Sequence, residues 1–446
     1  MKRPLFFFVL ILMMWGSSCT HATQTLAVPT LANTPTRPSS TIVFTPSAPT
    51  LTKNPNPTAV ATGMATVFPT ANTVISNAVG FVTSDGNLWV ANADGSGERR
   101  LDIKGKDFAW SPNGEWIAVL KPYELWIISP DGISERQLVS VNRAFGELQT
   151  VAWSPDSKQI AFLQTISSDK PEIATIKTVV VSNVAVTDVI SVTTGYPILL
   201  AWSPDSKSIA LTYNMNIKVV ETENKAIHDI ANSELCGGMF GDILWSPDGK
   251  WIAHSHYGNG RYGHGWVCIT NLEDKNARLD VKGHATSPVW DSTGRYLYVA
   301  AIDFNPDNPP SDPDPRLLRY DVIGQKLECV VSLDNTSRDM GAYITISPDG
   351  KTLTRLTRIS TGNYLFEIVN LDDLQIEKYS VTKEIYSRTW KDYIWIDSTH
   401  IMFAAEEQQY SSKIALYRLN VYSGLITQVT GLHDIERWFS KMGITW

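Results

Sequence analysis

Three histidines and the aromatic residues among them are the part of this chain best equipped for chemistry: His254-Ser-His256-Tyr257-Gly-Asn-Gly-Arg261-Tyr262-Gly-His264. Two residues apart, His254 and His256 project to the same side of an extended strand. With His264 across a hairpin, neutral imidazoles at this spacing could bind Zn²⁺ or Mn²⁺. Two other readings stand beside that one. The histidines can be satisfied groups at the base of a loop tightened by Gly258, Gly260 and Gly263. Alternatively, Tyr257, Arg261, Tyr262 and His264 form a patch that stacks on a peptide or sugar. A second stretch carries Asp303, Asp307, Asp312 and Asp314 among prolines. Carboxylates of this kind coordinate Ca²⁺, but the spacing matches no defined calcium loop, and a solvated rigid loop accounts for it equally. A third group is Arg143 with Phe145, Arg338 with Asp339, and Tyr386 with Arg388 and Trp390. Arg and aromatic residues on exposed loops are enriched where binding energy concentrates. The other reading is packing and salt bridges within the fold. No cofactor is called for.

What must position these residues is a repeat. Trp110-Ser111-Pro112-Asn113-Gly114 precedes the apolar run Trp116–Leu120, and Trp-Ser-Pro-Asp returns at Trp153, Trp202 and Trp245. The phrase decays to Trp290-Asp-Ser-Thr-Gly, Ile346-Ser-Pro-Asp-Gly and Trp395-Ile-Asp-Ser-Thr. Anchors recur every 43 to 56 residues, a period that belongs to four-stranded β-propeller blades. Pro pre-sets φ, Asp bonds its own backbone and Gly accepts φ > 0, so the phrase predicts a tight hairpin between a blade's first and second strands. Asp156, Asp205, Asp248 and Asp349 therefore read as turn formers. Aligned on Ile117, Ile160, Ile209 and Ile252, the position of His254 is otherwise Val119, Phe162 and Leu211.

The two ends complete the count. Residues 80–103 read as second, third and fourth strands with no first strand before them. Gly443–Trp446 reads as a first strand with nothing after it, and Trp446 lies 51 residues beyond Trp395. The expected fold is all-β: a propeller of eight four-stranded blades, closed by pairing of the C-terminal strand with the N-terminal blade. Seven blades is the fallback if the unit at Trp395 forms no blade. Closure leaves few exposed sheet edges.

Outside residues 77–446 the chain changes character. Lys2 and Arg3 precede the apolar stretch Leu5–Trp15, too short to span a bilayer and suited to a secretory signal. Of residues 20–75, 23 of 56 are Thr or Pro and only Arg37 and Lys53 are charged. Such a composition cannot bury enough apolar surface to fold, which predicts an extended tether over 20–76. The net charge is −7 and no basic run marks the propeller, which argues against a nucleic-acid partner. Cys236 precedes the first strand of the blade whose third strand holds Cys268, so a bridge between them is one reading. The other makes Cys236, Cys268 and Cys329 small core residues.

Residues 1–19 end Gly16-Ser17-Ser18-Cys19, which resembles a bacterial lipobox, although Gly16 stands where that family usually carries an aliphatic residue. The resemblance implies cleavage and lipidation at Cys19. The Trp-Ser-Pro-Asp phrases resemble the TolB-type propellers with their WD40-like Pro-Asp repeat over residues 78–446. That resemblance implies a periplasmic or surface propeller that binds peptides, proteins or glycans at the channel mouth, on the loops between second and third strands and between blades. TolB itself carries an α/β domain where this chain has its Thr/Pro segment. Related peptidases add a hydrolase domain with a Gly-x-Ser-x-Gly elbow, which does not occur in this sequence. The expectation is a non-catalytic, monomeric propeller, extracytoplasmic and lipid-anchored to a bacterial membrane through its N-terminus alone, binding an envelope protein, peptide or glycan. Two alternatives remain open. One is a metal-dependent polysaccharide lyase using His254, His256 and His264, since oligogalacturonate lyases resemble this repeat class. The other is an assembly lipoprotein of an envelope complex.

Overall fold

The structure, a computed structural model, describes residues 78–440 apart from 144–145, 167–171, 195–197, 214–215, 233–238, 258–264, 274–277, 282–283, 303–314, 334–342, 361–362, 383–384, 386–392 and 407–412. Of residues 166, 172, 194, 231–232, 239–242, 256–257, 265–266, 278–281, 284–287, 302, 343 and 436–440, only the backbone is described. Among the described residues the chain forms eight four-stranded antiparallel sheets. Seven are continuous in sequence, blades 1 to 7, over residues 107–140, 147–194, 200–232, 239–281, 284–332, 343–381 and 393–428. The unit at Trp395 is thus a blade of its own. Blade 8 is composite: Ile435–Ser440 is its first strand, and Ala78–Thr83, Asn87–Asn92 and Arg99–Lys104 are the other three.

The closing strand lies earlier than the sequence suggests. Ile435–Ser440 pairs with Ala78–Thr83, with Trp438 opposite Phe81 and Phe439 opposite Gly80, whereas Gly443–Trp446 falls outside the described residues. Val79 holds the place that Ile117 holds in blade 1, so Ser440 opposite it stands at the anchor position, 45 residues beyond Trp395.

The repeat phrase builds each blade twice over. Within the turn, Asp205 Oδ1 accepts from Ser203 Oγ (2.6 Å) and from the Lys207 amide (3.1 Å), while Ser203 Oγ accepts the Ser208 amide (2.9 Å). Ser154–Asp156, Ser246–Asp248 and Ser347–Asp349 repeat the pattern. Between blades, the indole of Trp153 donates to Ala109 O (2.9 Å), Trp202 to Ala152 O (3.0 Å) and Trp245 to Ala201 O (3.0 Å). Each acceptor immediately precedes the anchor of the blade before.

The second strands read apolar because both their faces are covered. Ile117–Leu120 is buried throughout: Ile117 and Val119 pack toward blade 8, and Ala118 and Leu120 toward blade 2. Eight separate hydrophobic clusters fill the eight interfaces. The last joins Ile394, Met402 and Leu416 of blade 7 to Val79 and Phe81 of blade 8. Full burial of such side chains contributes roughly 1.5–3 kcal/mol each. Side chains across the seam add to it: His433 packs on Trp89 (4.6 Å between centroids) and pairs with Glu98, and Ser84 Oγ donates to Asp434 Oδ2 (3.1 Å).

Candidate functional site

A blade of four antiparallel strands puts its turns at two ends. The Ser-Pro-Asp hairpins occupy one end; the loops between second and third strands and between blades occupy the other. On the latter end, three loops meet at blade 1. Residues 105–106 enter the blade, 121–123 join its second and third strands, and 141–146 lead to blade 2. Their backbones are tied together. Lys106 N donates to Leu120 O (2.7 Å), Val141 N to Tyr123 O (2.9 Å) and Leu148 N to Pro122 O (2.7 Å). Gly105 is needed for this approach, since a Cβ there would sit 2.7 Å from Val119 Cγ1 and 2.9 Å from Leu120 O.

These loops carry an aromatic and cationic cluster. The exposed Arg143 guanidinium stands 5.0 Å from the centroid of the Tyr123 ring. The Tyr123 hydroxyl donates to Glu147 Oε1 (3.3 Å), whose other oxygen lies 3.8 Å from Lys106 Nζ. Beside them Lys121 Nζ lies 4.6 Å from the Trp126 ring, and that indole donates to Glu124 (2.8 Å). Among the described residues Arg143 makes no ion pair, so its planar fork of donors is directed by the ring beneath it and open to a carboxylate or other anionic oxygen. Arg143 is a residue the sequence singled out. Tyr123, Glu147 and Lys106 are not, although Pro122-Tyr123 could have been found by reading the second-to-third-strand loop of every blade.

The other predicted residues divide. His254 lies in the second strand of blade 4, wholly buried, opposite Ile243 and Cys268. Ile252, on the same side, packs among the residues of blade 3. His254 therefore belongs to the interface between blades 3 and 4 and not to an open loop base. His256 and Tyr257 continue the same strand, but their side chains, and the whole of Arg261, Tyr262 and His264, lie outside the described residues. So do Phe145, Arg338, Asp339, Tyr386, Arg388, Trp390, the aspartates at 303, 307, 312 and 314, and Cys19. Among the described residues no three of His, Cys, Asp and Glu are grouped to hold a metal ion. Cys268 and Cys329 are both disulfide-bonded, which corrects the reading of either as a plain core residue. Cys236 lies outside the description.

The place of His254 has a counterpart that sequence alignment at Trp left unseen. In blade 6, Ile346 pairs with Leu353 and Ile344 with Arg355, the register in which Trp245 pairs with Ile252 and Ile243 with His254. Arg355 donates to Glu367 (2.7 Å) with both side chains buried, and Lys378 lies 4.0 Å from the same carboxylate. Ile346 stands in blade 6 for the anchor tryptophan, and Arg355 lies nine residues beyond it, as His254 does beyond Trp245.

No family model matches the chain, and no curated protein matches it by sequence. Solved structures do. A dihydro-heme d1 dehydrogenase, NirN, is 12% identical over 85% of this chain and 79% of its own, with a TM-score of 0.56. Dipeptidyl peptidase 4 of Porphyromonas gingivalis is 12% identical over 74% of this chain, with a TM-score of 0.52; this chain covers 53% of it. TolB of Acinetobacter baumannii is 17% identical over 68% of this chain and 79% of its own, with a TM-score of 0.34. What the dehydrogenase and the peptidase share with it is a fold. The chain is an eight-bladed β-propeller. A dehydrogenase and a peptidase among the neighbours leave this propeller's activity undecided by its architecture.

Proposed function

We propose that this propeller is a non-catalytic binding module. It takes an anionic group of an envelope protein, peptide or glycan at the loop end of blades 1 and 2, and is held at a bacterial membrane by a lipid on Cys19. The observation that carries the binding site is the exposed Arg143 guanidinium, aligned over Tyr123 on three mutually bonded loops and without a described ion-pair partner. A guanidinium so placed loses little side-chain freedom on binding, and the aromatic face beneath it is a surface on which a peptide or sugar can lie. The anchor rests on the apolar segment ending at Cys19 and on the Thr/Pro-rich stretch after it. The experiment is crosslinked recovery of the full chain from native membranes, with the companions identified by mass spectrometry. Arg143→Ala is expected to cut recovery of the companion about tenfold with the melting temperature unchanged, and Cys19→Ala to move the protein out of the membrane fraction. Undiminished recovery with Arg143→Ala sinks the site. Turnover of a polysaccharide by the wild type, lost on chelation, would replace binding by catalysis.

A further inference from the structure

At the opposite end of the blades, among the Ser-Pro-Asp turns, a cleft of about 530 Å³ opens between blades 3 and 4. Its apolar wall is Trp245, Pro204, Pro247, Val219 and Leu272. Trp245 differs from the other described anchors. Trp110, Trp153, Trp202, Trp290 and Trp395 are all buried, whereas Trp245 is only half-buried. Its N–H is spent on Ala201 O, so what it adds to the cleft is ring surface.

Three carboxylates line the same space, Asp205, Asp248 and Glu221, and none of the described lining residues is Lys or Arg. Asp205 and Asp248 are held rigidly, because Oδ1 of each accepts a serine hydroxyl and a backbone amide within its own turn. Among the described residues Oδ2 of each has no hydrogen-bond partner. Glu221 is oriented by His228 Nε2 (3.1 Å) and Asn224 Nδ2 (2.6 Å). The hydrogen bond from Ser203 holds the Asp205 carboxyl below its usual range, and those from His228 and Asn224 do the same for Glu221. The charge of Lys207, two residues along, acts on Asp205 in the same direction.

An apolar wall with an aromatic face, leading to fixed negative charge, complements one kind of group: an aliphatic stem ending in a cation. We propose that this cleft receives the side chain of a lysine or arginine projecting from a partner protein, its stem against Trp245, Pro204 and Pro247 and its head among Asp205, Asp248 and Glu221. The site is independent of Arg143, which lies on the other end of the blades.

The test uses the full chain with ¹⁵N-labelled tryptophan and a blocked Gly-Gly-Lys-Gly-Gly peptide, with norleucine in place of lysine as the uncharged control. The Trp245 indole signal is assigned by its loss in Trp245→Phe. The lysine peptide is expected to shift that signal saturably, and the norleucine peptide to bind at least tenfold more weakly. Raising salt from 0.05 to 0.5 M should weaken the lysine peptide, since partly exposed charges are screened. Glu221→Gln and Asp205→Asn should each lower affinity about tenfold with the fold intact, because asparagine keeps the Oδ1 acceptor of the turn. Arg143→Ala should change nothing here. Equal binding of the two peptides, or no shift of the Trp245 signal by the lysine peptide, overturns the proposal.

Discussion

At the scale of the residue, the same motif position does different physical work in different blades. Val119, Phe162 and Leu211 fill it with apolar surface, His254 with a buried imidazole and Arg355 with a buried ion pair. A buried pair loses hydration on both sides and recovers it only while both partners remain. Glu367→Ala is therefore expected to cost about 3–5 kcal/mol, and Arg355→Leu with Glu367→Leu much less, as read from urea unfolding. Asp321 offers a test in pH. Hydrogen bonds from Arg295 first, then from the Gly324 and Ile323 amides, lower its pKa to about 2. The unfolded carboxyl titrates at about 3.9, so the folded state binds its proton less readily. This stabilisation is complete above about pH 4 and is lost as pH falls toward 2. Asp321→Asn should accordingly flatten that part of the melting-temperature curve and leave its shape above pH 5 unchanged.

At the scale of the element, the repeat acts through hydrogen bonds that cross between blades as much as through the turns it makes. Trp153→Phe keeps an aromatic ring in place but strands Ala109 O, and is expected to cost about 1–3 kcal/mol by denaturant unfolding. Much of this was legible in advance. The period, the turn chemistry of Ser-Pro-Asp and the all-apolar second strands each point to a blade. What was not legible is where strands end, because the backbone pairing that terminates them is set by a neighbour. The closing strand at Ile435–Ser440 is the example: the anchor spacing pointed to Trp446, whereas the register against Ala78–Thr83 puts Ser440 opposite Val79, at the position where most other blades carry tryptophan.

At the scale of the molecule, closure is non-covalent in the sense that matters for stability: the ring is completed by one strand from the far end of the chain. Deleting residues 435–446 would bare the edge of Ala78–Thr83 and the apolar cluster built on Phe81 and Val79. A bare, apolar edge pairs with other chains. The truncated protein is expected to associate with concentration and to lose its cooperative melt, a loss comparable to the whole marginal stability of a domain, ~5–15 kcal/mol. Light scattering and calorimetry would show whether it does.

The sequence alone determined the kind of fold and the composite closure, because these follow from local turn chemistry repeated at a fixed interval, while the structure settled eight blades over seven. It also marked Arg143 as a residue on an exposed loop. Tertiary structure decided what surrounds each side chain. It put His254 inside a blade interface, set Arg143 over Tyr123 with Glu147 and Lys106 beside it, and opened the cleft at Trp245. These are contacts between residues distant in the chain, and a one-dimensional spacing carries no information about which face of one blade meets which face of the next.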